Sequence, residues 1–524
     1  MNLEKISALL DVDLDDGDPD ALEVPFKRHR GKTVMELALE EDGPGYLRWA
    51  QKATDWGTTF SGTIDKALQR VVERKISEAP PLRLTSHQEQ ISDTLLLHAA
   101  PGSVLRLNGG AGYGKSYVTR KIATELAKRG YTCHAAAVSY VATQVLAQQL
   151  NPYGVESATI ARTLKYTKRW ENGNEVYEHS ADTPREASAL LSQGKALIVD
   201  ECSMLAEQDA NLLVSSVRRG GGLLVVVGDD AQLPPVKQEH LSSFHEDATS
   251  TLTIPMRYSQ DSDLYQVEQT ARTTPWGLAD VLQRTAGSSQ VARVPDSREL
   301  VNEYIGNYRT DPDALHRILL FRRRDVVGAN NAVRRGLFGA DANVIEEDEQ
   351  LMVLATTDTP YADDDTANTH RYYSGQTFRV TDLEEDTYRI TIDGAPFEIP
   401  HYRVQFDDDA APVRIVFGVT EQQMDLDKLG SGEFQAALSA AGAYGRKTNA
   451  TGDRLGSWEP YKQLQGDFLR VAYTYATSVH RAQGQTLDYA YTIPRPLLAV
   501  PGLMGRALSY VANTRAKQRL TVLL

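Results

Sequence analysis

Three observations predict an α/β protein built on parallel sheets. Apolar runs that end in polar turns alternate with helix-forming stretches from Leu84 to about Asp230. One of them, Val104-Leu105-Arg106-Leu107, leads into Gly109-Gly110-Ala111-Gly112-Tyr113-Gly114-Lys115-Ser116 and then a helical stretch from Tyr117 to Ala123. The same alternation returns at Phe468 and runs to the C-terminus. Strands separated by helices are joined by crossovers, and crossovers make a sheet parallel.

Other stretches divide the chain. Its 524 residues predict about three or four domains. Residues 1–25 hold eight acids and one lysine, a net charge of −7, and read as acidic and disordered. Residues 26–80 read as a small accessory module, closed by Pro80-Pro81. Residues 81–240 read as the first α/β domain, and 241–340 with 465–524 as the second. Between the halves of the second, residues 341–464 change to a β-rich pattern of short strands and turns, such as Tyr388 to Gly394.

The net charge of −14 looks wrong for a protein that binds nucleic acid, but it is concentrated. Residues 341–365 carry nine acids and no Lys or Arg, so with residues 1–25 they account for −16 and leave the rest near +2. A local basic channel is compatible with that balance. No apolar run reaches the roughly 18 residues of a membrane helix, and Met1 to Lys5 lacks a secretory pattern. Two cysteines, Cys133 and Cys202, cannot form a disulfide framework or a zinc cluster. A cytoplasmic protein without membrane partners is the expectation.

Gly109 to Ser116 is a complete phosphate-binding loop, Gly-x4-Gly-Lys-Ser. Its glycines let successive N–H groups of Gly109, Gly110, Ala111, Gly112, Tyr113 and Gly114 curl toward a phosphate, and the helix N-terminus adds a favourable dipole. Lys115 is placed to reach the β/γ-phosphates of ATP, and the Ser116 hydroxyl to ligate Mg2+. A glycine-rich turn that binds nothing would not need strand, Lys-Ser and helix in this order.

Such a loop needs an acid for the metal and a base for water. Ala196 to Asp200-Glu201 supplies both: an apolar strand with two carboxylates at its ligand-facing end. Asp200 is the candidate Mg2+ ligand, and Glu201 the group that polarises the attacking water. A second apolar strand, Leu223 to Val227, ends in Gly228-Asp229-Asp230-Ala231-Gln232-Leu233-Pro234-Pro235. The neutral amide of Gln232 can bond a γ-phosphate oxygen or the water.

This order of motifs resembles superfamily 1 helicases, in particular the RecD/Dda-like group, superfamily 1B. The resemblance covers about residues 84–524 and implies two RecA-like motor domains. Leu84-Thr85-Ser86-His87-Gln88 is similar to the Q motif, which implies that Gln88 reads adenine. Met256-Arg257 is similar to motif IV, with Arg257 on the γ-phosphate. Phe321 to Arg334, with Asn330 and Arg334, resembles a further segment of the group. Thr477 to Gly484 is similar to motif V, which implies nucleotide contacts at Gln483 and Gly484. Tyr510 to Ala516 resembles motif VI, with Arg515 as arginine finger. Phosphoryl transfer is positioning plus charge stabilisation, so arginines distant in sequence must be delivered by a second domain.

The family implies single-stranded and forked DNA as substrate, 5′→3′ movement, a phage or mobile-element origin, and replication or recombination proteins as partners. Candidate DNA contacts are Ser139, Thr143, Thr159, Thr477 and His480. The chain departs from the family here, with Val138-Ser139 where relatives show Pro-Thr and Ala161 where they show His. Lys165 to Glu178 reads as a β-hairpin turning at Asn172-Gly173. The family implies that this is the strand-separating pin, with Trp170 near its tip. The stretch from Tyr372 to Val380 resembles the start of the family's inserted SH3-like domain. Phe26 to Thr33 with Tyr46 to Trp49 resembles a module appended to exonucleases of the exodeoxyribonuclease X type. Two other readings stay open: an RNA helicase, and a nucleotide-switched loading protein that does not translocate.

Overall fold

Val104–Gly109 (β1) is buried at every position, and it becomes an inner strand of a six-stranded sheet. The computed structural model describes residues 19–20, 24, 29, 31–40, 46–47, 50, 57–79, 82–171, 174–235, 238–273, 278–285, 287–362, 369–407, 409, 411–416, 419–420, 423–424, 431–450 and 458–523. Thr132–Ala137 (β2), Glu156–Thr159 (β3), a hairpin of Thr167–Glu171 (β4) and Asn174–Glu178 (β5), Lys195–Asp200 (β6), Leu223–Gly228 (β7) and Ala248–Leu252 (β8) follow. The sheet order is β3-β2-β6-β7-β1-β8 and every pairing in it is parallel. Alternate residues enter the cores on its two faces: Leu105 and Leu107 on one, Val104 on the other. The first sheet therefore runs on to Leu252, past the boundary expected at residue 240, because β1 still needs a partner on its open side.

The second sheet is also parallel. Its order is 476–478, 316–320, 487–492, 516–523, 291–294, from both sides of the β-rich insertion.

The β-rich region differs from the short strands expected. It centres on a long hairpin, Thr377–Ile392 with Ala395–Phe406. Asp393 and Gly394, at φ 48° and 80°, make the tight turn, the left-handed pair that such hairpins favour. The sheet's two edges are Phe468–Leu469 and Val471–Tyr473, one run of chain broken at Arg470. The sheet thus closes on itself into a ring. Its closing strand lies beyond residue 464, the boundary expected from the sequence. The name SH3-like rests on the resemblance alone.

The ring shares one core with the second domain: Tyr304, Ile318 and Tyr491 pack in the same cluster as Leu351, Val404 and Tyr473. Arg334 and Glu349 form a buried ion pair in this joint, with Tyr475 donating to the same carboxylate at 2.7 Å. Asn330 brackets Ala476, accepting from its N–H at 2.8 Å and donating to its carbonyl at 3.3 Å. Against the first domain, the ring stacks Tyr373 on Tyr140, with centroids 3.5 Å apart.

In the accessory module, Thr33 and Glu36 form a capping box for the helix Val34–Ala38. The 22-residue helix Gly57–Glu78 then leans on the first domain at Gly154, where a Cβ would stand 2.9 Å from Val72 Cγ2. Residues 1–18, most of the basic cluster at 26–30 and the hairpin tip at Asn172-Gly173 lie outside the described residues. Among the described residues no helix is long and apolar enough to cross a membrane.

Candidate functional site

Parallel strands deliver their C-terminal ends to one edge, and there the motifs meet. β1 and β6 flank β7, so the phosphate loop and Asp200-Glu201 lie one strand apart. Gly112 and Gly114 adopt φ of 81° and 83°, which side chains rarely reach. A Cβ on Gly114 would stand 2.3 Å from Gln88 Nε2, and one on Gly112 2.5 Å from Arg257 Cβ. The loop is bare so that the Q-motif residue and Arg257 can press against it. The Gln88 carbonyl oxygen is committed to a capping box, accepting from Thr85 N at 3.1 Å.

Lys115 Nζ folds over the loop and donates to the carbonyls of Gly109 at 2.8 Å and Gly110 at 3.1 Å. Ser116 follows in the first turn of the helix Lys115–Lys128. Glu201 adopts a left-handed backbone at φ 51°, which costs a non-glycine residue roughly 1–2 kcal/mol. Its N–H donates to Asp200 Oδ1 at 2.8 Å. Burial pushes the Asp200 carboxyl upward, with the Glu201 N–H and Lys115 opposing. Burial and the Asp200 charge push Glu201 the same way, against Lys115 and Arg515. Glu201 Oε2 is buried with no hydrogen-bond partner. Hard oxygen donors from Ser116 and Asp200, beside a buried acceptor with nothing to accept, fit Mg2+ and an attacking water.

Gln232 is buried, its N–H donating to Asp229 O at 3.1 Å, and its Oε1 accepts from Ser203 Oγ at 3.5 Å. The second domain closes on this edge. Arg257 NH2 donates to Thr486 Oγ1 at 2.8 Å and NH1 to Thr514 O at 3.1 Å. Gln483 Nε2 donates to Leu233 O at 3.4 Å. A Cβ on Gly484 would stand 3.3 Å from Glu201 Oε1. Arg515 is buried and donates within its own domain, to Val511 O, Gln485 O and Thr514 Oγ1. The structure thus gathers Gln88, Lys115, Ser116, Asp200, Glu201, Gln232, Arg257, Gln483, Gly484 and Arg515 at one cleft.

The candidate DNA contacts are less uniform. Ser139 and Thr159 follow β2 and end β3, on the same edge, and their hydroxyls cap the next helices. Thr143 is buried and donates to Ser139 O at 2.8 Å. Thr477 is buried within the strand Ala476–Ser478. Burial lowers the basicity of His480, whose ring lies 6.4 Å from that of Phe321. Trp170 sits on β4 opposite Glu175, and its side chain lies outside the described residues.

The AAA-domain family matches residues 83–287. The ATP-dependent DNA helicase dda of Enterobacteria phage T4 is 22% identical over 424 residues, 78% of this chain and 92% of that protein. The chain is thus similar to a Dda helicase over most of both proteins. The conjugal transfer protein TraA of Agrobacterium fabrum is 24% identical over 270 residues, 49% of the chain and 22% of that protein. Among solved structures, the chain overlaps the Pif1 helicase of Bacteroides, in complex with ADP-AlF3 and ssDNA, at a TM-score of 0.45. The identity is 15%, over 84% of this chain and 92% of that one. Pif1 of Candida albicans gives 0.44, 16%, 84% and 95%.

Sequence reasoning missed several residues of this cleft. Asp229, Arg272 and Thr486 carry its hydrogen bonds. Glu268 is fully buried behind the loop, neither oxygen having a partner, and a Cβ on Gly110 would stand 2.8 Å from it. No spacing in the sequence marks Glu268 or Arg272. Tyr510 was visible only as part of motif VI.

Proposed function

We propose that the helicase uses ATP and Mg2+ to translocate 5′→3′ on single-stranded DNA and to unwind forked duplexes in replication, recombination or repair. The supporting observation is Arg257, which lies against Gly112 of the phosphate loop and spends its guanidinium on Thr486 and Thr514 of the second domain. A residue shared in this way makes nucleotide chemistry and domain closure one event. A loading protein that only switches needs no such bridge.

In this reading Lys115 exchanges its two loop carbonyls for phosphate oxygens. Glu201 takes the proton of the attacking water at its partnerless Oε2, and Gln232 orients the water against the γ-phosphate. Arg515 turns from its own domain's carbonyls to the developing charge, which such a finger stabilises by a factor of ~10³–10⁵ in rate. Mg2+, held by Ser116 and Asp200, would neutralise phosphate charge. Ser139, Thr159 and His480 face the strand, and the β4–β5 hairpin splits the junction. Strand displacement on duplexes with a 5′ or a 3′ single-stranded tail tests motor and polarity together. Unwinding of the 5′-tailed substrate is expected. Unwinding of only the 3′-tailed one reverses the polarity, and stronger ATPase stimulation by poly(U) than by poly(dT) favours the RNA reading.

A further inference from the structure

Tyr510 lies in the helix Gly502–Asn513, five positions before Arg515, and is 1% exposed. A phenol oxygen has one hydrogen to give and two lone pairs to fill. Here all are used. The hydroxyl donates to Asp229 Oδ2 at 2.7 Å, and accepts from the N–H of Ala111 at 3.2 Å and from Arg272 NH1 at 3.4 Å. Arg272 closes the junction with an ion pair to Asp229 Oδ1 at 3.0 Å.

Each partner belongs to an element that carries part of the chemistry. Ala111 is in the phosphate loop. Asp229 shapes the turn that bears Gln232, accepting from Ala231 N at its carboxylate and from Gln232 N at its carbonyl. Arg272 is on the helix Asp263–Thr273, which follows Arg257. The tyrosine's own helix leads into Arg515. One oxygen therefore touches, directly or through one residue, the elements that hold Lys115, Gln232 and Arg515, and the helix that follows Arg257. Burial and the Asp229 charge keep the phenol protonated, so the donor is always available.

We propose that Tyr510 is the positioning residue that sets the arginine-finger helix in register on the phosphate loop when the domains close. It touches neither phosphate nor water itself. It acts through Arg515, and so rests on the reading of Arg515 as finger. Its geometry is suited to this: a rigid ring anchored in the second domain beside Arg272, with its single polar atom reaching Ala111 and Asp229 of the first. A displaced finger loses transition-state stabilisation but leaves ground-state nucleotide binding largely intact.

The test is a double-mutant cycle on DNA-stimulated ATP hydrolysis, with thermal melting and ATP affinity measured alongside. Tyr510→Phe removes one oxygen and leaves the ring in place. It is expected to lower kcat ~10-fold or more with KM for ATP within about threefold. In the Arg515→Ala background the same change is expected to cost nothing further. Arg272→Met removes another leg of the junction and should show the same split, which covers the case where the first variant folds poorly. Wild-type kcat in Tyr510→Phe, or losses that multiply in the double mutant, would overturn the proposal while leaving the finger reading intact. Wild-type turnover in Arg515→Ala alone would instead sink the finger reading, and the positioning role with it.

Discussion

Arg257 and Thr486, 229 positions apart, are joined at 2.8 Å from guanidinium to hydroxyl. The arginine's second terminal nitrogen meets Thr514 O at 3.1 Å, so both ends of the fork are fixed in the second domain while its stem lies on Gly112. Lysine has the charge but not the fork. Arg257→Lys is therefore expected to lower turnover by ~10² or more with modest change in ATP affinity, read by steady-state hydrolysis and by nucleotide titration. Equal turnover in the two proteins would show that charge alone matters at this position.

Lys115→Ala is expected to abolish hydrolysis with the fold retained, since its ammonium bonds only two carbonyls of its own loop. Glu201→Gln separates binding from chemistry: Asp200 and Ser116 are untouched, so Mg-ATP binding should persist with hydrolysis lost. Loss of binding in that variant would mean that the two carboxylates do not divide the work as proposed.

Glu268 carries a pH signature. Burial, then the Asp229 charge, push its carboxyl up to about 7, while Arg257, Arg272 and Arg515 pull the other way. A carboxyl raised in the folded state binds a proton there that the unfolded chain releases near its ordinary value. Its contribution to stability is full below about pH 4.5 and is lost as pH rises toward 7. The penalty above that window is of order 3 kcal/mol. Glu268→Gln should thus melt higher than the parent at pH 8, the gap shrinking toward pH 5. A gap independent of pH would place the charge elsewhere.

The hairpin offers a separable function. β4 and β5 pair from Thr167↔Glu178 to Glu171↔Asn174. Stacking of an aromatic such as Trp170 on the last base pair is worth ~1–3 kcal/mol per base, similar to the ~1.4 kcal/mol of a base-pair step. Replacing Trp170 to Asn174 by a two-residue turn should leave DNA-stimulated ATPase and single-strand translocation near normal while largely removing unwinding. Joint loss of ATPase and thermal stability would instead make Trp170 an anchor.

The nucleotide loop and the acid pair were legible because their chemistry is local: glycines, Lys-Ser and two carboxylates each end a strand that must be buried. The expected break at residue 240 failed because nothing near it says that β1 still needs β8. The short strands expected near Tyr388 became a long hairpin because an exposed ribbon needs no continuous apolar face, so its pattern shows only weak alternation. Tyr510, Glu268 and Arg272 were illegible for a different reason. A buried hydroxyl or carboxylate acquires its partners only when elements hundreds of residues apart are packed together.

The ring of β-strands closes with Phe468–Tyr473, and the strand Ala476–Ser478, where the stretch resembling motif V begins at Thr477, follows on the same length of chain. Two residues, Thr474 and Tyr475, separate them, and both are fastened to the ring, at Gln350 O and Glu349. The insertion is consequently not an appendix that a lineage can discard or exchange by cutting at its borders. Its last stave is also the tether of His480, Gln483 and Gly484, so a foreign ring would shift the anchorage of those three residues as well.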